Sequence, residues 1–253
     1  MRRKFLGGNW KMNGLKSGLT ALLTAVIQQL KDLATVEVAV FPSDVYLESM
    51  GNLLKAQHSA IALGGQNHCD HEEGAYTGET APGMLQDIGC RYVLLGHSER
   101  RHTFGESNRV IARKFALAKQ HHLIPVLCVG ETEMQRDIGE TEAVVREQIN
   151  AVVNEVGINA LAKAIIAYEP VWAIGTGKIA TAEAVQEMHA MIRKHLANSD
   201  HDIAQNIQII YGGSLKPQNA KDIFVLPDVD GGLVGGASLK AEDFTALAKL
   251  LAS

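Results

Sequence analysis

Between residues 19 and 33 the apolar side chains Leu19, Leu22, Leu23, Val26, Ile27, Leu30 and Leu33 recur at spacings of three and four, which predicts one buried helix face. The next segment, Val36-Glu37-Val38-Ala39-Val40-Phe41, is short, rich in β-branched residues and closed by Pro42, which predicts a strand. These two kinds of segment then alternate to the end of the chain. Strands are predicted at 5–10, 36–41, 59–63, 92–95, 123–129, 163–168, 206–211 and 229–234. Helical periodicity fills the gaps, most clearly at 108–121, 141–156, 182–197 and 241–252. Thr181 with Glu183 in the first turn, and Pro217 ahead of 218–224, are helix start signals. Pro125 is a local conflict, because it removes a ladder donor, and it is read as lying at the first turn of its strand.

Eight strands alternating with eight helical segments imply parallel βαβ units, closed into a barrel or opened into a doubly wound sheet. No linker or composition shift divides the chain, so the pattern predicts an α/β fold, a single (β/α)8 barrel domain spanning 1–253. Composition narrows the function. With 46% hydrophobic residues among 253, the chain can bury a large core. Its formal charge of -4, without a basic block, argues against nucleic acid as a partner. The apolar runs are strand-sized, short of the roughly 18 residues of a membrane span. Arg2, Arg3 and Lys4 imitate the start of a signal peptide, but Gly7-Gly8-Asn9 follows at once and no apolar region develops. Three cysteines, Cys69, Cys90 and Cys128, are an odd number in apolar contexts, which predicts no disulfide framework and a reducing cytoplasm.

In such a barrel the chemistry sits at the C-terminal strand ends. Five predicted ends are polar, titratable or glycine-rich: Gly8-Asn9-Trp10-Lys11, Gly96-His97-Ser98-Glu99-Arg100, Tyr168-Glu169-Pro170, Gly212-Gly213-Ser214 and Gly235-Gly236-Ala237-Ser238. Glu169 is a candidate general base, held extended and stiffened by Pro170. His97 precedes what reads as a helix start, whose dipole disfavours imidazolium, so a neutral ring able to donate one hydrogen bond is expected. Lys11 and Asn9 alternate along the first strand and are expected on one side, where an ammonium would stabilise developing negative charge. Trp10 is expected to face away into packing, and Glu99 to pair with Lys11. The paired glycines at 212–213 and 235–236, with Ser214, would let backbone N–H groups approach a phosphate closely.

Taken together, these segments, with residues 7–14, 96–101, 167–178, 211–214 and 233–239 in the same order, resemble the triosephosphate isomerase family from Phe5 to Phe244. Ile179 and Ala182 depart from it, standing where the family often has small polar residues and proline. The resemblance implies a TIM barrel that interconverts dihydroxyacetone phosphate and D-glyceraldehyde 3-phosphate through an enediolate, in glycolysis and gluconeogenesis. It implies Glu169 as base, His97, Lys11 and Asn9 as stabilisers of the enediolate, and Gly175, Ser214, Gly235 and Gly236 as phosphate ligands, with no metal or organic cofactor. Residues 170–178 read as a lid, rigid at Pro170-Val171-Trp172 and hinged at Gly175 and Gly177. The stretch from Gly64 to Ala81 is long for a connection, and the resemblance implies that it inserts into a second subunit, with Thr77 at its tip, making a homodimer.

Other motifs are weaker. Gly175-x-Gly177-x-x-Ala180 lacks the tight strand-to-helix turn of a dinucleotide fingerprint, and a Walker loop fails at Trp172 and Ile179. His68-Cys69-Asp70-His71 imitates a metal cluster, but no distant ligand is evident, so metal binding is not expected. Two rivals remain at this point: a Schiff-base aldolase working through Lys11, and a non-catalytic phosphate-binding barrel.

Overall fold

The computed structural model describes residues 2–253. Eight strands form a closed barrel in sequence order, every pair parallel. They are β1 (Lys4–Asn9), β2 (Val36–Phe41), β3 (Ala62–Gly65), β4 (Tyr92–Leu95), β5 (Ile124–Val129), β6 (Ile165–Tyr168), β7 (Gln208–Tyr211) and β8 (Gly231–Val234). The main outer helices are α1 (Lys16–Leu30), α2 (Asp44–Ala56), α3 (Pro82–Asp87), α5 (Asn108–Gln120), α7 (Thr141–Val156), α8 (Ala182–Ala197), α10 (Pro217–Phe224) and α11 (Ala241–Ala252). Three short helices, α4 (Ser98–His102), α6 (Glu133–Asp137) and α9 (His201–Asn206), lie within the connections.

The strands are apolar on both faces because each face meets a different core. Phe5, Ala39, Phe41, Tyr92, Leu94, Val126, Cys128, Ile165, Ala167, Ile210 and Leu233 fill the barrel interior. Residues one step along, such as Leu6, Val40, Val93, Leu127 and Ile166, pack outward against the helices. The stripe expected on α1 is the face it buries: Leu19, Leu23, Val26, Ile27 and Leu30 are enclosed, with Leu22 and Leu33 at the margin. Trp10 is buried in the outer core, as expected.

Two local expectations are corrected and one holds. The third strand lies at Ala62–Gly65 and not at 59–63, so Gly64 and Gly65 belong to the sheet, in register with Tyr92 and Val93, and not to the connection that follows. The Phe41 ring explains the glycine: a Cβ on Gly64 would stand 2.3 Å from Phe41 Cε1. Pro125 is the second residue of β5, at the strand's start as expected, and stays in register with Val93. Lys11 is not on β1, which ends at Asn9; it turns into the left-handed region at φ 50°, so strand alternation does not orient it.

Between the barrel and α8, His189 is fully buried, edge-on to the Tyr168 ring at 6.0 Å, with Nδ1 3.2 Å from the Asp228 carbonyl. Burial pushes its pKa down from 6.5 to about 4, with the Arg193 cation adding to the fall and the Asp228 carbonyl and carboxylate opposing it. The unfolded chain takes up this proton as the pH drops below 6.5, whereas the folded chain resists it to about 4. Stability is therefore lost on acidification across that window, by at most about 3 kcal/mol for this group. His189→Phe, which keeps an aromatic ring but cannot titrate, should show a smaller fall in melting temperature than the parent from about pH 7 to about pH 4.5. Equal falls would remove His189 from the acid response.

Candidate active site

Asn9, Lys11, His97, Glu169, Gly175, Ser214, Gly235 and Gly236, predicted from different strand ends, all line one cavity of about 730 Å³ at the barrel mouth. Closure of the sheet brings them together, since every parallel strand delivers its C-terminal end to the same rim.

Glu169 is 2% exposed and lies just past β6, its N–H bonded to the Val129 carbonyl at 2.7 Å. Carboxylate Oε2 accepts the Ser98 N–H at the start of α4 at 2.8 Å. The other oxygen, Oε1, lies 3.0 Å from His97 Nε2, but off the axis of a hydrogen bond, and has no donor of its own. Half of the carboxylate is anchored and half is free to take a proton.

His97 caps α4 through its ring: Nδ1 accepts the Glu99 N–H at 3.2 Å. An accepting Nδ1 carries no proton, so the hydrogen sits on Nε2, the nitrogen that faces Glu169. Behind it Arg101 braces the strand end, donating to the carbonyls of Gly96 at 2.8 Å and Cys128 at 3.0 Å. Gly96 takes φ 71°, in the left-handed region, where side chains are strained.

Lys11 Nζ forms the expected pair with Glu99 Oε1 at 2.6 Å. Its left-handed backbone is held from both sides. The Lys11 N–H donates to Asn9 Oδ1 at 3.0 Å, and its carbonyl accepts from Ser43 Oγ and Gln66 Nε2, both at 2.9 Å. A non-glycine residue there costs on the order of 1 kcal/mol, which these three bonds offset.

The rim of β7 and β8 is lined by backbone. Gly213 and Gly212 are tightly enclosed: a Cβ would stand 2.1 Å from Tyr211 Oη and 2.8 Å from Glu169 Cγ, respectively. Ser214 faces the cavity ahead of α10, and Gly235 and Gly236 face it at the start of the 3-10 turn Gly236–Leu239; free N–H groups at such starts favour anions. Lys216 and Lys240 add two cations to the wall, and Asp243 one anion.

The end of β5 carries two positioning residues that the sequence reading passed over. Gly130 abuts Glu169 so closely that a Cβ would stand 1.8 Å from the Glu169 carbonyl oxygen, and Gln148 grips its N–H and carbonyl at 2.8 and 3.0 Å. Glu131 is fully buried, accepting from Tyr168 Oη, from Trp172 Nε1 at 2.8 Å and from Arg136 at 3.3 Å, whose guanidinium also covers the Trp172 ring. Burial, reinforced by this carboxylate, pushes the Tyr168 phenol well up, keeping it a donor. A glycine followed by a carboxylate at a strand end was the available signal.

Glu131 thus fixes the first turn of the lid, the 3-10 segment Val171–Ala173. The remainder is exposed from Gly175 to Ile179, with Gly175 and Gly177 at φ 72° and 83°. Lys178 pairs with Glu133 on α6, and Thr176 Oγ1 donates to the Trp172 carbonyl at 2.7 Å.

The sequence matches the family described as Triosephosphate isomerase over residues 4–251. It is 51% identical to the "Triosephosphate isomerase" of Nitrosococcus oceani over 244 residues, 96% of this chain and 97% of that one. It is 50% identical to the Vibrio cholerae protein of the same name over 252 residues, 100% of this chain and 98% of that one. The Nitrosomonas eutropha protein, also so named, is 48% identical over 246 residues, with 97% of each chain covered. The chain belongs to the triosephosphate isomerase family.

Proposed function

We propose that this chain is an aldose–ketose isomerase of glycolysis and gluconeogenesis, interconverting dihydroxyacetone phosphate and D-glyceraldehyde 3-phosphate, and that Glu169, His97, Lys11 and Asn9 carry the reaction. The observation that bears most on this is a carboxylate with one unpartnered oxygen, 3.0 Å from an imidazole nitrogen that holds a proton. Glu169 takes the proton from the carbon beside the carbonyl. The electron pair moves to the carbonyl oxygen, and the resulting enediolate accepts a hydrogen bond from His97 Nε2 and faces the Lys11 ammonium. The proton of the neighbouring hydroxyl passes to the former carbonyl oxygen by way of His97 Nε2, while Glu169 returns its proton to the neighbouring carbon; the carbonyl is then left on the adjacent carbon and Glu169 is regenerated. Backbone N–H groups at Gly175, Ser214, Gly235 and Gly236 hold the phosphate. A Schiff base would need Lys11 Nζ free, whereas Glu99 engages it.

On this reading the whole chain, 1–253, is one domain, supported by the pairing of β1 with β8 that ties its two ends. It acts as a homodimer in the cytoplasm. Support for the dimer comes from the connection after β3, bonded through Gln66 to Lys11 and through Thr80 to Asp44, beside exposed Met12 and Val45. Thr77 is exposed at its tip. Support for the compartment comes from three free, buried cysteines, and among the described residues no helix is long and apolar enough to cross a membrane.

Shortening Glu169 to Asp withdraws the base by one methylene. Displacement by about 1 Å costs on the order of 100-fold in rate, so kcat should fall by that factor while KM changes little. Unchanged turnover would take Glu169 out of the base role. Removing 174–177 should leave the barrel folded and lower turnover. It should also raise the ratio of released phosphate and methylglyoxal to isomerised product, because the enediolate loses its cover from water. A constant ratio would mean that the lid serves binding alone. Sedimentation should give a dimer, and Thr77→Arg should shift it to monomer with loss of turnover; a fully active monomer would refute the dimer reading.

A further inference from the structure

The connection between β3 and α3 carries His68-Cys69-Asp70-His71, and in the fold three of these four side chains converge. Cys69 Sγ lies 3.9 Å from His71 Nδ1, and that nitrogen 3.1 Å from Asp70 Oδ1, with all three donors within 4.8 Å of one another. A tetrahedral zinc ion with bonds of about 2.3 Å to sulfur and about 2.0 Å to nitrogen and oxygen requires separations of about 3.5 Å between S and N and about 3.3 Å between N and O. These two distances differ from the ideal by a few tenths of an ångström, and the sulfur and the carboxylate oxygen lie within 4.8 Å where about 3.5 Å is ideal, so a bound ion would draw the Cys69 and Asp70 side chains together.

The surroundings are those of oriented ligands. Asp70 points its other oxygen, Oδ2, at the Arg113 guanidinium, 3.3 Å away, so the carboxylate is steered. The Tyr76 ring stacks on His71, centroids 4.1 Å apart and planes 25° from parallel, which fixes the imidazole. Cys69 is buried, while the side chains of His71 and Asp70 are 36% and 21% exposed in the single chain. His68 lies outside the group: its Nδ1 is 2.6 Å from the Cys69 carbonyl, and its Nε2 is not among the converging donors. None of the three donor residues lines the barrel-mouth cavity.

We propose that Cys69, Asp70 and His71 form a binding site for a borderline-soft divalent cation of the zinc class, apart from the isomerase site. A thiolate, an imidazole and a carboxylate together select such an ion over magnesium or calcium, which take oxygen ligands. On binding, the Cys69 thiol releases its proton to the buffer, and His71 carries its remaining proton on Nε2 while Nδ1 ligates. Affinity therefore rises with pH.

The test is cobalt(II) titration of the full-length protein after chelator treatment and dialysis, followed by optical absorbance, with zinc(II) as competitor. One cobalt per chain should bind with a sulfur-to-metal charge-transfer band that zinc abolishes. Cys69→Ser should remove the band. His71→Ala, at a part-exposed position where folding is not at stake, should weaken cobalt binding at least about 10-fold. Absence of the band in the parent protein, its survival in Cys69→Ser, or unchanged affinity in His71→Ala would each overturn the assignment. Cys90 and Cys128 are buried elsewhere and cannot replace the lost sulfur.

Discussion

Everything at the mouth of this barrel depends on the ladder between the first strand and the last. Phe5 to Gly8 pair with Gly231 to Val234, and Phe5 N–H bonds the Asp230 carbonyl at 3.0 Å. The approach is close enough that a Cβ on Gly231, at φ 151°, would stand 1.7 Å from the Phe5 carbonyl oxygen. With that seam made, strands separated by more than two hundred residues share hydrogen bonds, and Lys11 and Gly235 face one cavity. A sheet open at this point would splay Asn9 and Lys11 away from the glycines that follow β8.

The second layer of organisation is electrostatic and consists of donors held where a carboxylate needs them. The Ser98 N–H fixes one oxygen of Glu169, and the same turn fixes the tautomer of His97 through the Glu99 N–H. A five-residue helix therefore orients both Glu169 and His97. Arg101 ties that helix to the strand end on one side and to β5 on the other. The floor beneath is apolar, made of Leu94, Val126, Ile165 and their neighbours.

How much was legible depended on whether local pattern or tertiary packing made the decision. Boundaries at 36–41, 92–95, 141–156, 182–197 and 241–252 follow from periodicity and caps, and the structure has them there. Gly64 and Gly65 read as a break because nothing in the sequence announces that the Phe41 ring will occupy their side-chain space. Lys11 was assigned to the right cavity by the wrong geometry, since its left-handed turn is imposed by Gln66 and Ser43 from distant segments. Gly130 and Glu131 escaped notice because their significance lies in what they touch, the Glu169 backbone and the Trp172 indole. The convergence of Cys69, Asp70 and His71 is likewise a property of a turn that spacing does not encode.

The anchoring of Trp172 by Glu131 also has an entropic consequence. Ordering a loose residue costs roughly 1–2 kcal/mol of backbone entropy. On the proposed reading, in which residues 170–178 close over the phosphate, the Val171–Ala173 turn is held beforehand by Glu131 and the exposed run from Gly175 to Ile179 is what remains to be ordered. That is a cost of about 5–10 kcal/mol, where a lid loose from Pro170 onward would cost about twice as much. On that reading the difference is kept as binding free energy, and it traces to Glu131, a carboxylate outside the barrel-mouth cavity.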